Sequence, residues 1–488
     1  MTDEDLFEKW LAQLAHRRDV TKRFSPQESG ASLLGKRYFH LDYPVTDQEL
    51  VRWRPVLLDP EQVRKRAFYP FLKTVKVRKR FAKDGDGVRR IHPEGPKKRE
   101  ICYAAHHDAL FFSWYGFRLE ALLEPKLHAL GLDACVLAYR STGQNNIHFA
   151  KAVFDYVGAQ PECVALAFDV TKFFDRLNHA KLKRAWVDLL DKKELPKDHY
   201  TVFKAMTRFR TIEVTEIEKV LSPEQWEACF RRKRFVFPDQ FRTQLLPKQK
   251  TNEPSPDTPH IPPVGIPQGA PLSAVLSNLY MLTLDAALHK VAQACGGVYR
   301  RYCDDLLLVV QPGHEAATEE AVRHELGELK LELNEKKTER RFFTQDAAGL
   351  LQCTDEHGKP APLQYLGLEF TGQIIQLRSS SLARHHQRMR RGVRKAVCMA
   401  KGRKGQQGGK VFKRALYRKF SHLGTFNFVK YAKRAYHITG SPAILKQVRG
   451  SVERINKLVD KEIKRYEHAA SNVPKGGVAI SSRPRRVD

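Results

Sequence analysis

The spacing of apolar residues changes along the chain, and each change marks an element. Residues 74–103, TVKVRKRFAKDGDGVRRIHPEGPKKREICY, form strand-like runs between Gly, Asp and Pro turns, which predicts basic β-hairpins. From Phe111 to Leu130 and from Asn145 to Tyr156 the apolar positions recur at helical spacing. Cys163–Asp169 is an unbroken apolar run of strand type, followed by a tight turn and an amphipathic helix, and Val298–Val310 reads as two apolar strands flanking Tyr302, Cys303, Asp304 and Asp305. Five prolines between Lys248 and Val264 exclude a regular element there, and Val264–Leu288 is a Gly/Pro-rich loop running into a long apolar helix. Val411, Phe412, Ala415, Leu416 and Phe420, then Phe428, Val429, Ala432 and Ala435, predict helices that bury one side. Four glycines in Lys401–Lys410 interrupt that region, and the last twenty residues read as a flexible tail. Residues 1–75 mix short helical patterns with the aromatic run Arg37–Pro44, show no identifiable chemistry and are expected to pack as an extension.

Charge adds a partner to this outline. The 488 residues carry 85 Lys+Arg against 55 Asp+Glu, a net charge of +30, and 42% hydrophobic content is enough for real cores. Two thirds of the excess sits in one block: between Glu369 and Glu453 there is no acidic residue, while twenty Lys and Arg fall between Arg378 and Arg449. A solvated basic surface is the plain explanation, but a block without acids suits a polyanion whose condensed counterions are released on binding. The eight cysteines are scattered, with no C-x-x-C pair and no Cys/His zinc spacing, so reduced thiols and no structural zinc are expected. No stretch reaches the ~18 uncharged apolar residues of a membrane span, and the N-terminus is charged from its third residue, which predicts a cytoplasmic protein without an export signal.

Three central segments carry candidate chemistry. Asp169 ends a buried apolar strand, where a carboxylate is costly without a cation. Asp304 and Asp305 adjoin each other between two apolar runs, where like charges repel and invite a metal. Gly265–Gly269 is the Gly/Pro-rich loop containing Gln268. Singly, each is as well explained as a cap, a hairpin turn or an ordinary loop. Together, two strands that deliver carboxylates to one end of a sheet can hold two Mg²⁺ ions ~3.5–4 Å apart, the arrangement that assists phosphoryl transfer.

In this order the segments resemble the palm motifs of reverse transcriptases: F-D-V-x-x-x-F-D with Asp169, G-x-P-Q-G at Gly265–Gly269, and the Y-x-D-D box at Tyr302–Asp305. Leu331–Thr338 (LELNEKKT) resembles the L-x-L-N-x-x-K-T element, Gln364–Phe370 the primer-grip element, and Lys97–Phe112 the fingers segment that meets the triphosphate. The resemblance implies an α+β right-hand polymerase, with an extension at 1–75, fingers at 76–160, and a palm at 161–370 that has an RRM-like antiparallel sheet and a fingers-contributing insertion at about 195–262. A basic helical thumb at 371–468 and a tail at 469–488 complete it. It implies Asp169, Asp304 and Asp305 as catalytic carboxylates, with Asp305 the less essential, and these with the Val170 carbonyl as ligands of two Mg²⁺. Lys97, Arg99, Phe174, Gln268 and Lys337 would meet the dNTP: Arg99 and Lys97 clamp its triphosphate, the Phe174 ring blocks a 2′-hydroxyl, Gln268 positions the templating base and nucleotide, and Lys337 protonates pyrophosphate. Leu366 and Gly367 would form the primer grip, and Arg390, Arg391, Arg394, Lys413, Arg414, Arg418, Lys430, Lys433 and Arg434 would meet the nucleic-acid backbone.

No segment resembles a ribonuclease H domain or a zinc-bearing endonuclease. The FFDRLNH form and the long interval between Asp169 and Gly265 look prokaryotic, similar to group II intron, retron and defence-associated enzymes. Lys413–Ala435 resembles the C-terminal region of the uncharacterised and antiphage class. The expectation is therefore an RNA-directed DNA polymerase that makes cDNA from a dedicated structured non-coding RNA in antiphage defence, with no membrane partner and with homo-oligomerisation left open. A retron or group II intron-type enzyme with another role is the first alternative, and a catalytically silent RNA-binding scaffold is the second. Phe174 argues against an RNA-dependent RNA polymerase.

Overall fold

The computed structural model describes residues 2–24, 38–79, 81–83, 89–91, 95–232, 234–252, 263–402 and 409–471. Part of the glycine linker, part of the proline-rich connection and most of the expected tail lie outside these. The chain is an α+β protein that separates into two compact units, one of residues 1–141 and 165–340, the other of 142–164 and 341–488. Among the described residues no helix is long and apolar enough to cross a membrane.

In the first unit, a mixed sheet has the strand order Lys97–Tyr103, Phe71–Arg78, Arg210–Glu213, Lys250–Thr251. Phe71–Arg78 pairs antiparallel with Lys97–Tyr103 and parallel with Arg210–Glu213. Behind it, the helix His106–Ala129 buries Leu110, Phe111, Phe112, Trp114, Tyr115 and Leu119. A helix apolar on so many sides must lie inside a unit. The N-terminal helix Asp3–Phe24 packs on it through Trp10, whose indole nitrogen donates to Ser113 Oγ at 3.1 Å and whose ring lies 5.6 Å from that of Trp114.

The aromatic run has a structural task. Asp42 accepts from the backbone N–H groups of His106 and His107, each at 2.9 Å, and lies 2.9 Å from the Nδ1 of both rings. It thereby supplies a cap at the positive end of the helix, which begins at a non-capping Ala105. Burial pushes the Asp42 pKa up, but the hydrogen bonds from His106 and His107 outweigh it and hold the carboxyl well below the usual range. Tyr38 donates to the Ala104 carbonyl at 2.8 Å, and His40 Nε2 lies 3.1 Å from that of Tyr103, so the run also pins the end of the Lys97–Tyr103 strand.

In the second unit, Leu363–Tyr365, Leu368–Phe370 and Ile375–Leu377 form an antiparallel meander. Its helices are Asn146–Gly158, Ser379–Gly402, Lys413–Phe420, Phe428–Thr439, Pro442–Val448 and Ser451–Ser471. Met389, Val393 and Val397, one turn apart, pack with Leu416, Phe420, Ile455 and Val459 into a core. The sequence reading placed Phe412 and Ala415 on the buried side as well. Both are exposed, because the helix starts at Lys413 and turns only Leu416 and Phe420 inward.

Candidate active site

The strand Glu162–Asp169 buries Cys163, Val164, Ala165, Leu166 and Phe168, and its apolar side chains on both faces give the pattern of an interior strand. It ends at Asp169. Beyond it the Val170 amide donates to the Asp304 carbonyl at 3.2 Å, so the backbone after the first carboxylate abuts the turn that carries the second. That turn joins Val298–Tyr302 to Asp305–Val310, with Tyr302 paired opposite Asp305 and Cys303 in the left-handed region at φ +62°. The Leu331–Thr338 segment crosses the same strand end: Asn334 N donates to the Asp169 carbonyl at 2.8 Å, and Thr171 N to the Glu332 carbonyl at 2.9 Å. Lys337 Nζ lies 2.5 Å from Asp169 Oδ2, and Asn334 Nδ2 donates to the same oxygen at 3.2 Å.

The donor set at this corner is carboxylate and carbonyl oxygen from Asp169, Val170, Asp304 and Asp305, the hard ligands that Mg²⁺ prefers. Among the described residues no three acidic, His or Cys side chains are gathered as a ready metal cage. In kind, the residues fit a divalent cation; in arrangement, Lys337 supplies the positive charge that Asp169 meets.

The sequence reading missed what holds the turn. Arg301 and Asp285 are fully buried and form a two-pronged ion pair, with Nε to Oδ1 and NH2 to Oδ2 both at 2.6 Å. Tyr299 donates its hydroxyl to Asp285 Oδ1 at 2.7 Å, and Arg301 NH1 reaches Asn278 Oδ1 and the Cys303 carbonyl, each at 3.2 Å. Tyr139 donates to Cys303 Sγ at 3.3 Å. The guanidinium thus ties the helices Ser273–Tyr280 and Leu282–Ala294 to the residue before Asp304. A charged residue within an apolar helix, at Asp285, and another within an apolar strand, at Arg301, were the available signals.

The Gly265–Gly269 loop is threaded through two close backbone passages. At φ +88°, a Cβ on Gly265 would lie 2.9 Å from the Asp175 carbonyl oxygen; at φ +119°, one on Gly269 would lie 2.6 Å from that of Cys102. The Gln268 carbonyl accepts from Cys102 N at 2.9 Å, which fixes Gln268 beside the strand of Lys97 and Arg99. Ile266 N donates to the Phe174 carbonyl at 2.9 Å, so the half-buried Phe174, on the short helix Phe173–Arg176, belongs to the same loop assembly. Gly269→Ala is expected to displace Gln268 and cost roughly 1–3 kcal/mol, because the added methyl meets rigid backbone and not a movable side chain. A urea midpoint unchanged from the parent would contradict that.

Lys97 and Arg99 are exposed on one face of their strand. Arg78 sits opposite Lys97 and Lys76 opposite Arg99. Like charges in direct cross-strand register are destabilising, so this ladder is arranged for an anion. Lys76 and Arg78 join the candidate set; their basic character was legible in the sequence, their register was not.

Leu366, Gly367 and the nine backbone-binding candidates belong to the second unit. Leu366 at φ +46° and Gly367 at φ +94° make the two-residue turn between Leu363–Tyr365 and Leu368–Phe370. Asn146 Nδ2 secures it by donating to the Leu366 carbonyl at 2.8 Å and to the Tyr431 hydroxyl at 3.2 Å. Arg390, Arg391, Arg394, Arg414, Arg418, Lys430 and Arg434 are exposed; Lys413 and Lys433 are partly so.

No curated protein matches the chain. Among solved structures, apo telomerase from Candida tropicalis is similar at TM-score 0.39 and 13% identity, over 82% of this chain and 60% of that one. Telomerase from the same organism in complex with a fragment of telomeric RNA gives 0.37 and 14%, over 84% and 63%. The corresponding Candida albicans complex gives 0.35 and 12%, over 86% and 66%. The chain therefore spans less than two thirds of the length of these proteins. Residues 118–370, just over half of the chain and inclusive of Asp169, the Gly265–Gly269 loop and Asp304–Asp305, match the family described as reverse transcriptase (RNA-dependent DNA polymerase), and the chain belongs to that family.

Proposed function

We propose that the protein is an RNA-directed DNA polymerase of right-hand architecture that extends a primer 3′-end with dNTPs on an RNA template. The observation that carries this reading is the hydrogen bond from Val170 N to the Asp304 carbonyl, which sets the two carboxylate-bearing backbones side by side at one strand end. Asp169 and Asp304, with Asp305 and the Val170 carbonyl, would hold two Mg²⁺. When bound, the ions lower the pKa of the attacking hydroxyl and neutralise charge on the phosphates. The protein's own groups do the rest. The Lys76, Arg78, Lys97 and Arg99 ladder orients the triphosphate; Gln268, fixed against Cys102, limits how the nucleotide and templating base sit; Lys337 Nζ carries a proton beside Asp169 for the departing pyrophosphate. Leu366 and Gly367 would hold the primer, and the acid-free helical block, acting as a thumb, the duplex backbone.

Phe174 supports deoxynucleotides by steric exclusion. Phe174→Ala is expected to raise the ratio of ribonucleotide to deoxynucleotide incorporation by at least about tenfold, on the scale of a few kcal/mol for a contact in a fitted pocket. An unchanged ratio would remove that role.

Within this function, the resemblance of Lys413–Ala435 to the antiphage class supports a finer reading, cDNA made from a dedicated structured non-coding RNA as a defence response. Two measurements test the pair of statements. Primer extension on an RNA template with dNTPs tests polymerisation, and sequencing of the RNA and DNA that co-purify with the protein tests the dedicated template. One discrete RNA with matching cDNA is the expected result, and a random sample of cellular RNA would overturn the finer reading while leaving the first intact.

A further inference from the structure

The loop 421–427, between the helices Lys413–Phe420 and Phe428–Thr439, is rigid and yet presents apolar side chains to solvent. Asn427 organises it: its side-chain nitrogen donates to the carbonyls of Arg418 at 2.9 Å and Ser421 at 2.7 Å, and its oxygen accepts from Val429 N and Lys430 N, each at 3.0 Å. Ser421 Oγ donates to the Tyr417 carbonyl at 2.8 Å and accepts from Leu423 N at 3.2 Å. Gly424 passes so close to Arg418 that a Cβ would lie 1.7 Å from its carbonyl oxygen. From this scaffold Leu423 and Phe426 project, each 57% exposed, with the exposed His422 and Thr425 between them and Phe412, 65% exposed, just before the preceding helix.

The surroundings identify the occupant. Arg414, Arg418, Lys419, Lys430 and Arg434, all exposed, lie on the two helices that the loop joins, and no acidic residue occurs between Glu369 and Glu453. An apolar tip on an acid-free cationic surface suits a polyanion that also offers flat apolar faces. Unpaired nucleobases offer them; a closed duplex hides them. A protein partner would have to bring acidic groups matched to every one of these cations.

We infer that the loop 421–427 is a binding platform for unpaired RNA nucleotides, with Leu423 and Phe426 meeting base faces and the flanking Arg and Lys side chains meeting the phosphates. The platform rests on the reading that the chain handles RNA. It adds a preference for single-stranded or bulged segments to the shape-based backbone binding of the basic helices.

The test uses the full chain without nucleotides or metal, and fluorescently labelled oligoadenylate RNA beside a blunt RNA duplex of equal length. The double variant Leu423→Ser with Phe426→Ser is expected to weaken oligoadenylate binding by roughly tenfold or more, the scale of one or two lost base stacks, and to leave duplex binding within about twofold. Arg418→Ala should weaken both ligands and lower the salt slope by about one. Ultraviolet cross-linking to oligoadenylate, read by mass spectrometry, should place the attached nucleotide in the loop 421–427. Equal loss on both RNAs, no loss on either, or cross-links confined elsewhere would overturn the platform. Primer extension by the double variant on a fully paired template–primer separates this outcome from failure of the polymerase reading: activity retained there with binding unaltered would sink the platform alone.

Discussion

Replacing Asp304 with Ala is expected to lower dNTP incorporation by at least about a thousandfold while RNA binding stays within about twofold of the parent. The magnitude follows from the several kcal/mol that metal-assisted charge stabilisation contributes to phosphoryl transfer, at about 1.4 kcal/mol per tenfold in rate. The specificity follows from the structure. The contact that joins the two strand ends runs from Val170 N to the Asp304 backbone carbonyl, which alanine retains, and the turn is held by Arg301 on the Cys303 carbonyl. The site should therefore lose a ligand without losing its shape. Asp169→Ala should be as damaging to incorporation and should in addition leave Lys337 without its carboxylate partner. Asp305→Ala, on the exposed residue that opens the next strand, should be milder. Single-turnover extension beside filter binding distinguishes the cases, and polymerisation unchanged in the Asp304 variant would remove the site assignment.

What could be read from the sequence depended on how local each signal was. Cys163–Asp169 and Val298–Val310 were legible because a carboxylate at the end of an apolar run is visible in a few adjacent residues. The Gly265–Gly269 loop was legible as a loop, but the reason for its glycines was not: the walls they meet, Asp175 and Cys102, are remote in sequence. The Asp42 clasp on His106 and His107 was missed for the same reason, with 64 and 65 residues between partners. Periodicity misled at Phe412, where an apolar residue in helical phase stands one position before its helix starts and remains exposed. Leu366 gave no signal for its left-handed backbone, since only Gly367 marks the turn by composition.

The buried pair behind the turn should produce the largest effect on stability. Asp285→Asn keeps the side chain's shape but leaves the guanidinium of Arg301, fully buried, without its counter-ion, and it turns one acceptor of Arg301 and Tyr299 into a donor. Breaking a buried pair in this way costs roughly 3–5 kcal/mol, most of it from the charge left behind. The direction is supported by the Arg301 pKa: burial alone would lower it, yet the Asp285 charge and hydrogen bonds hold it above its ordinary value. A urea denaturation midpoint close to the parent's would contradict the expectation. Removing both charges separates scaffold from function. Asp285→Leu with Arg301→Met eliminates the uncompensated ion and should recover much of the lost stability, as apolar replacements of buried pairs do. It cannot restore the hydrogen bond from Arg301 to the Cys303 carbonyl, nor the one to Asn278 that anchors the turn to the helix following the glycine loop. Incorporation by the double variant should therefore remain at least about tenfold low, with the Mg²⁺ concentration for half-maximal rate raised, the scale expected for disturbing residues behind metal ligands. Recovery of both stability and rate would show that the pair only fills the core; recovery of stability alone shows that Arg301 positions Asp304.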